Sequence, residues 1–193
     1  MKEGKVVILS APSGAGKTTI VKYLLNENLK LEFSISACSR NIREGEMDGV
    51  DYYFLPLAGF KKKIEQQAFV EWEEVYEGNY YGTLKSEIER IWKKGNHVLF
   101  EVDVKGGITL KKYFNEKALS VFIMPPSVED LRQRLINRKT EKRGEIEKRM
   151  KRAEFEISFS DQFDHIIIND DLETAKKETF KIVKDFLRNK PES

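Results

Sequence analysis

The chain places Ala11-Pro12-Ser13-Gly14-Ala15-Gly16-Lys17-Thr18 directly after the apolar run Val6-Val7-Ile8-Leu9. Four consecutive large apolar residues indicate a buried strand, and the glycine-rich segment indicates the turn that leaves it. A helical pattern follows at once, with Ile20, Val21, Leu24 and Leu25 on one face. A strand, a glycine-rich turn and a helix in this order predict a phosphate-binding loop, because backbone N–H groups and the helix N-terminus converge on an anion.

The residues of this loop have distinct chemical roles. Gly14 and Gly16 permit the backbone to approach phosphate oxygens closely. Lys17 is placed to reach the β- and γ-phosphates, and the Thr18 hydroxyl to take one position on Mg²⁺. Ala11 stands where the motif G-x-x-x-x-G-K-[ST] has its first glycine, a position that needs only a small side chain. A chance Gly/Ser turn is the alternative, and the ordered strand, loop, Lys-Thr pair and amphipathic helix disfavour it.

Composition is that of an ordinary soluble protein. The 193 residues suit one compact α/β domain with an inserted subdomain, and 34% of them are charged and 40% hydrophobic. The formal net charge of +2 is too small to predict nucleic acid or an anionic membrane as a general partner. The single cysteine, Cys38, excludes an internal disulfide and fits a reducing compartment. Without a signal-peptide core or a stretch of membrane-spanning length, we expect a cytoplasmic protein.

Three further apolar runs predict the rest of a sheet, at residues 97–103, 119–124 and 165–168. Near-continuous apolar strands are typical of parallel sheets covered on both faces. Helical patterns separate them, at residues 84–94 and from about residue 171 to residue 188. Ser127 and Asp130 have the spacing of a capping box that opens another helix. The pattern predicts a P-loop α/β fold, a parallel sheet flanked by helices.

The region between the first helix and residue 84 has a different pattern. Residues 33–36 alternate, residues 51–54 and 70–72 are short and aromatic, and turn signals separate these segments. We therefore expect a small, mostly antiparallel insertion. An insertion at this point of a P-loop protein faces the phosphate loop across a cleft, which is where a phosphoryl acceptor would sit.

Basic and hydroxyl side chains of this insertion suit a phosphate. Arg40 and Arg43 offer two guanidinium groups to a single phosphate, and Tyr52 and Tyr81 could add hydroxyl donors. Taken singly, each arginine also fits a solvated surface position and each tyrosine fits half-buried packing. Their joint occurrence opposite a phosphate loop favours the binding role.

Glu71 lies between the apolar residues Val70 and Trp72. A carboxylate held there could accept hydrogen bonds from guanine N1–H and the 2-amino group, which adenine cannot donate. The alternative is an exposed strand position beside Glu73 and Glu74, and composition alone favours that alternative.

Several segments together resemble the guanylate kinase family in order and spacing. They cover nearly the whole chain and are more specific together than a phosphate loop alone. They are the phosphate loop and residues 33–46, 48–54, 69–72, 78–83, 101–103, 125–131 and 168–171.

The resemblance implies transfer of the γ-phosphoryl group of ATP, carried with Mg²⁺, to GMP. It also leaves open whether dGMP is accepted and whether the chain forms a homo-oligomer. The implied contacts to the GMP phosphate are Arg40, Arg43, Tyr52 and Tyr81, and those around guanine are Ser36, Glu71, Thr83 and Asp103. Glu101 is grouped with this site, because it falls where the family commonly has an acidic residue, often Asp, that contacts Mg²⁺-bound water or the acceptor.

On the donor side, the resemblance implies that one run of the loop and one distant residue hold ATP. Asn169 sits where the family contacts adenine; helix capping beside Asp170 and Asp171 is the alternative role, and both roles could hold together. The run is Ser13, Gly14, Ala15, Gly16, Lys17, Thr18 and Thr19.

The most basic part of the chain is residues 132–152. Interleaved glutamates and the lack of an aromatic series argue against a nucleic-acid patch. A lid over the triphosphate explains the charge better, and by the resemblance Arg134, Arg138 and Arg149 would contact the ATP phosphates and the moving phosphoryl group. With Lys17, these arginines are the predicted catalytic residues. Lys139 stands where the family often has Gly, and the remaining basic residues are expected to be solvated.

These assignments divide the chain into three parts. The core comprises residues 1–33, 84–130 and 153–193, the GMP-binding subdomain residues 34–83, and the lid residues 131–152. Two rival functions stay open: a guanylate-kinase-like module that binds phosphorylated peptides, and a related P-loop kinase that acts on a ribose phosphate. The intact Lys17 and Thr18 disfavour the first, and Glu71 favours guanine over the second.

Overall fold

The computed structural model describes residues 3–137 and 143–188. The strands in these ranges are β1 (Val6–Ser10), β2 (Leu31–Phe33), β3 (Ala37–Cys38), β4 (Tyr53–Phe54), β5 (Phe69–Tyr76), β6 (Asn79–Leu84), β7 (His97–Val102), β8 (Ala118–Met124) and β9 (His165–Ile168). The α-helices are α1 (Lys17–Asn26), α2 (Leu57–Glu65), α3 (Lys85–Lys93), α4 (Val104–Phe114), α5 (Val128–Asn137), α6 (Arg143–Ile157) and α7 (Leu172–Arg188). Short 3₁₀ helices cover Asn115–Lys117 and Ser160–Gln162.

The main sheet is parallel and has the strand order β2-β7-β1-β8-β9. β1 lies at its centre, and Ser10 at the end of β1 is opposite Val102 of β7 and Phe122 of β8. Every residue of β1 is buried, as expected for a strand covered on both faces. Ligands of open parallel sheets bind beyond the carboxyl ends of the strands. This register therefore brings the ends of β1 and β7 together beside the glycine-rich loop.

Helices cover both faces of the main sheet. On one face α1 and α7 bury Ile20 and Val183 against β1 and β8. On the other face α3 and α4 bury Ile91 and Leu110 against β1 and β7. The predicted α/β fold, a parallel sheet flanked by helices, is confirmed.

A second, four-stranded sheet has the order β4-β3-β6-β5. β6 runs antiparallel to both β3 and β5, whereas β3 and β4 are parallel. The sheet has its own apolar cluster, in which the rings of Phe60 on α2 and Phe69 on β5 stack with centroids 4.5 Å apart. The predicted mostly antiparallel insertion is therefore present.

Two expectations in this region are wrong. Residues 33–36 do not form a strand of the insertion, because Phe33 ends β2 at the edge of the main sheet and β3 begins only at Ala37. The main sheet thus has five strands in the described part of the chain, where the apolar runs predict four. β2 escapes the pattern because it has only three residues, none of them fully buried, with the charged Glu32 in the middle.

α5 and α6 pack as a pair whose buried residues are Leu131, Leu135, Met150 and Ala153. The predicted helix start is confirmed, because Ser127 directly precedes α5 and its Oγ accepts a hydrogen bond from the Asp130 N–H at 3.0 Å. The reciprocal bond is made by the Ser127 hydroxyl to the Asp130 carboxylate. Arg138 and Lys139, between the two helices, lie outside the described residues. The division into core, acceptor subdomain and lid stays a prediction.

In the part of the chain that the structure describes, no helix has both the length and the apolar character that crossing a membrane requires.

Candidate active site

The glycine-rich loop forms one wall of a cavity of about 450 Å³. Gly14 and Gly16 both have φ of +94°, a left-handed conformation that favours glycine. A Cβ on Gly16 would also lie 2.4 Å from Asn169 Nδ2, so the loop has no room for a side chain there. Ala11 is buried in the main core and is not among the residues with positive φ. A methyl group is therefore tolerated where the usual motif has its first glycine.

Lys17 lies at the first position of α1, and its Nζ donates a hydrogen bond to Val102 O at 2.8 Å. Burial lowers the pKa of Lys17, because it disfavours the charged ammonium, while the nearby carboxylates Glu101, Glu156 and Asp103 act in the opposite direction. In this position the ammonium is tethered to the end of β7 and faced by three acidic side chains. An incoming phosphate would meet a desolvated cation, which strengthens the attraction.

Thr18 Oγ1 donates a hydrogen bond to Glu101 Oε1 at 2.6 Å. A hydroxyl and a carboxylate are the hard oxygen ligands that Mg²⁺ prefers. Among the described residues no group of three or more His, Cys, Asp or Glu could hold a metal by itself. Mg²⁺ keeps several waters and is bound by one or two protein groups plus substrate phosphates, so this pair fits a Mg²⁺ that arrives with a nucleotide.

A second cavity of about 460 Å³ lies between the main sheet and the second sheet. Its walls include Phe33 and Val102 on one side, and Glu71 and Tyr81 on the other. The remaining lining residues are Lys17, Ser36, Asp51, Tyr52, Glu73, Val75, Gly82, Glu101, Asp103 and Gly106. Lys17, Glu101 and Asp103 line both cavities, which therefore adjoin at these three residues.

Glu71 is the best-defined polar group of this second cavity. The Thr83 hydroxyl, itself fully buried, donates a hydrogen bond to Glu71 Oε1 at 2.7 Å. Burial raises the pKa of Glu71 to about 7, with Asp103 and Glu73 adding repulsion and the Thr83 hydrogen bonds opposing the rise. The alternative of an exposed strand position is wrong, because this carboxyl faces the cavity.

The Arg40 guanidinium is already engaged by protein groups. Its Nε donates to Tyr81 Oη at 3.1 Å, and its two terminal nitrogens donate to the two carboxylate oxygens of Glu46 at 2.6 Å each. The group also lies over the Tyr52 ring, 5.0 Å from its centroid. Hydrogen bonds from Arg40 and from the Arg43 backbone lower the pKa of Glu46 to about 2. Glu46 thus occupies the guanidinium face that the sequence prediction gives to a phosphate.

The predicted acceptor residues differ in how close they come to the cavity. Arg43 is exposed, and its backbone N–H donates to Glu46 Oε2 at 2.9 Å. Asp103 caps α4, accepting a hydrogen bond from Gly106 N–H at 2.9 Å, and its side chain still lines both cavities. Sequence reasoning missed Glu46, because no periodic signal pairs it with Arg40 across a turn.

Helices α5 and α6 place arginines beside the glycine-rich loop. Arg149 donates a hydrogen bond from a terminal nitrogen to Ser13 Oγ at 3.2 Å. Arg134 donates to the backbone oxygen of Asn169 at 2.9 Å. Arg138, the third predicted lid arginine, lies outside the described residues. The structure therefore places two of the predicted arginines at the rim of the glycine-rich loop.

Arg152 and Glu156 also line the loop cavity, although the sequence prediction treats Arg152 as a solvated residue. The Arg152 side chain is 45% exposed, as expected, but it is also bound to other residues of the cavity. Arg152 Nε donates to Glu156 Oε1 at 3.0 Å, and a terminal nitrogen lies 3.7 Å from Asp103 Oδ2. Helical spacing could have found both residues, because positions 149, 152 and 156 of α6 share one face.

The Asn169 side chain is buried and donates a hydrogen bond to Ala15 O at 2.6 Å. It ties the end of β9 to the glycine-rich loop. Asp171 caps α7 instead, accepting a hydrogen bond from Thr174 N–H at 2.8 Å, so the capping alternative for Asn169 is wrong. A further cavity of about 370 Å³ opens beside Asn169 and is lined by Gly14, Gly16, Thr19, Arg134, Asn169, Asp170 and Leu172.

Comparisons with known proteins agree with this geometry. The family model described as guanylate kinase matches residues 3–190. A guanylate kinase of Bacteroides thetaiotaomicron is 53% identical over 184 residues, which cover 95% of this chain and 90% of the relative. A guanylate kinase of Porphyromonas gingivalis is 48% identical over 184 residues, which cover 95% of this chain and 98% of the relative.

Solved structures give the same result. The crystal structure of guanylate kinase from Anaplasma phagocytophilum superposes with a TM-score of 0.76 at 30% identity, covering 98% of this chain and 89% of that one. TT1252 from Thermus thermophilus matches with a TM-score of 0.53 at 13% identity, covering 97% of this chain and all of that one. The second likeness concerns the fold alone.

Proposed function

This chain belongs to the guanylate kinase family, and we infer that it transfers the γ-phosphoryl group of ATP to GMP, giving ADP and GDP. One observation carries this inference at the level of residues. Lys17, Glu101 and Asp103 line both the cavity of the glycine-rich loop and the cavity between the two sheets. A donor phosphate in the first cavity and an acceptor phosphate in the second would meet beside the Lys17 ammonium.

The glycine-rich loop is the proposed donor side. Its N–H groups and the N-terminus of α1 would bind the ATP phosphates, with positive charge from Arg149 and Arg152 across the cavity. The cavity beside Asn169 suits the nucleoside part of ATP, because it opens next to Gly14 and Gly16 at the far side of the loop. In this assignment Asn169 both braces the loop and lines the nucleoside site.

Thr18 and Glu101 would hold the Mg²⁺ that accompanies ATP. When bound, Mg²⁺ neutralises negative charge on the phosphate oxygens. The short Thr18–Glu101 hydrogen bond keeps both oxygens at the end of β7, where the loop cavity meets the acceptor cavity.

The cavity between the sheets is the proposed acceptor side. Guanine N1–H and its 2-amino group would donate to Glu71, whose charged form these two donors favour. Ser36, Thr83 and Asp103 would complete the base site. Arg40, Arg43, Tyr52 and Tyr81 would bind the acceptor phosphate, with Arg40 exchanging Glu46 oxygens for phosphate oxygens.

Catalysis then requires alignment and charge neutralisation more than proton transfer. Phosphoryl transfer passes through a loose transition state with charge on the equatorial oxygens. Lys17 and the lid arginines would neutralise that charge. The GMP phosphate is already an anion at neutral pH, so the acceptor needs no general base. An intact loop lysine disfavours a pure phosphopeptide-binding module, and Glu71 disfavours a ribose phosphate as the acceptor.

The test is the initial rate of ADP formation from Mg-ATP with GMP, AMP, CMP, UMP and no acceptor. We expect turnover that depends on GMP. Lys17→Ala should lower kcat at least about 100-fold, since it removes a half-buried positive charge at the reacting phosphates, while the exposed Lys22→Ala on α1 should leave it unchanged. Turnover with none of the four nucleotides, or an active Lys17→Ala variant, would overturn the assignment.

Four expectations from the sequence stay predictions: cytoplasmic location, the absence of nucleic-acid and membrane partners, acceptance of dGMP, and the choice between monomer and homo-oligomer.

A further inference from the structure

The described chain crosses between the main sheet and the second sheet twice. Residues 34–36 lead from β2 into β3, and Leu84 leads from β6 directly into α3. Glu87 lies in the first turn of α3, three residues after the second crossing, and is only 2% exposed. A carboxylate so deeply buried requires hydrogen-bond donors on all sides.

Along the first crossing, the backbone hydrogen bonds change from partners in the main sheet to partners in the second sheet. Ser34 N–H donates to Leu99 O of the main sheet at 3.0 Å, and Ser36 O accepts from Tyr53 N–H of the second sheet at 2.9 Å. Ile35, between them, donates its N–H to Glu87 Oε1 at 3.0 Å. The residue at which the chain changes sheets is therefore held by the Glu87 side chain.

The same carboxylate is also bound to the second sheet and to its own helix. The Tyr53 hydroxyl on β4 donates to Glu87 Oε2 at 2.9 Å. Arg90 donates to both oxygens at 2.8 Å, and its remaining terminal nitrogen pairs with Glu32 on β2. Each Glu87 oxygen thus accepts two hydrogen bonds. Burial acts to raise the pKa of Glu87, but hydrogen bonds from Arg90, Ile35 and Tyr53 outweigh it and lower that pKa.

We propose that Glu87 is a positioning residue that fixes the second sheet relative to the main sheet and so sets the geometry of the acceptor cavity. The inference rests on the proposed function. Glu87 does not line that cavity, but two residues assigned to the guanine site adjoin the two crossings, the first of which Glu87 holds through Ile35. Ser36 directly follows Ile35, and Thr83 directly precedes Leu84. A loosened crossing would displace these groups while leaving the glycine-rich loop in place.

The chain offers a matched control for Glu87→Gln. Glu32 accepts hydrogen bonds from Arg90, Lys94 and Asn96, none of which belongs to the second sheet. Glu32→Gln therefore removes a comparable charge from the same network without touching either crossing. Tyr53→Phe removes only the hydroxyl that joins the second sheet, and it keeps the ring, so it serves as a milder variant if Glu87→Gln folds poorly.

The kinetic test compares KM for GMP with KM for Mg-ATP. Loss of a charge-assisted hydrogen bond corresponds to roughly tenfold in an equilibrium constant. We expect Glu87→Gln to raise KM for GMP about tenfold, and Tyr53→Phe to raise it about threefold, with KM for Mg-ATP within about twofold of wild type. Glu32→Gln should change thermal stability without changing KM for GMP. An unchanged KM for GMP in both crossing variants, or equal changes in both KM values, would overturn the proposal.

A distance measurement tests the proposal without turnover. Cys38 is buried, so spin labels can be attached to cysteines introduced at the exposed positions Lys62 on α2 and Lys112 on α4. Glu87→Gln should broaden the distance distribution between the labels, and Glu32→Gln should not. An identical distribution in Glu87→Gln would overturn the positioning role. Absence of GMP turnover in the wild type, by contrast, would overturn the proposed function and leave this distance result standing.

Discussion

Replacing Glu71 with Gln should make the fold more stable at high pH while removing the preference for GMP. Glu71 is largely buried, and its pKa of about 7 lies well above the ordinary glutamate value of 4.5. A carboxyl group with a raised folded-state pKa stabilises the fold when protonated, and that contribution is lost as pH rises through about 7. The glutamine side chain has no such ionisation to oppose folding.

The size of the effect follows from the pKa difference. Full ionisation of Glu71 costs the fold about 3 kcal/mol, since each pKa unit corresponds to about 1.4 kcal/mol. Between pH 5 and pH 8 the stability of Glu71→Gln relative to wild type should therefore rise by about 2 kcal/mol. For a chain of this size that is a relative gain of about 4–8 °C in Tm. Thr83 can still donate to the amide oxygen, so its buried hydroxyl keeps a partner.

The catalytic effect should have the opposite sign. The amide presents a donor to a base edge that also donates, so one charged hydrogen bond is lost and one donor is left without a partner. Together these changes cost about 3–4 kcal/mol, or roughly 100- to 1000-fold in kcat/KM for GMP.

The assays are thermal unfolding at pH 5 and pH 8, and steady-state kinetics with GMP. Glu89→Gln, at an exposed position of α3, is the control for loss of one carboxylate. A stability difference that is the same at both pH values would refute the reasoning from burial. GMP kinetics like those of the wild type would refute the assignment of Glu71 to the guanine site.

Two other substitutions test the donor side. Gly16→Ala places a Cβ 2.4 Å from Asn169 Nδ2 at a φ of +94°, so we expect KM for Mg-ATP to rise at least about tenfold with GMP binding unchanged. Adding Asn169→Ala removes the clash but not the backbone strain, and full recovery in that double variant would contradict the role of the glycine. Arg152→Ala should lower kcat about tenfold, because it removes a positive charge from the loop cavity. The exposed neighbour Lys151 is the control, and Lys151→Ala should leave kcat unchanged. Equal kcat values in the two variants would count against a contact between Arg152 and the ATP phosphates.

The glycine-rich loop could be predicted because its signal is local. A strand, two glycines, Lys17 and a helix follow one another without interruption, and nothing distant is needed to interpret them. The central strands could be predicted equally well, because burial on both faces gives continuous apolar runs such as those of β1 and β8. The edge strand β2 could not be predicted, since it is only half-buried and Glu32 interrupts the apolar run.

The finer geometry of the site depends on contacts between distant residues. The pairing of Thr18 with Glu101 and the bond from Asn169 to Ala15 join residues 83 and 154 positions apart. The spacing of residues along the chain does not predict contacts over such separations. Arg152 is different, because its helical spacing from Arg149 could have placed it at the loop.

The Arg40–Glu46 pair has a consequence for the catalytic cycle. Four of the five N–H groups of the Arg40 guanidinium are occupied in the absence of ligand, by Glu46, Asn41 O and Tyr81. Any anion that binds this face must therefore compete with a tethered carboxylate at high effective concentration. If Arg40 binds the acceptor phosphate as proposed, this competition would weaken the binding of product as well as of substrate. Glu46 would then take back its hydrogen bonds from Arg40 each time the nucleotide leaves.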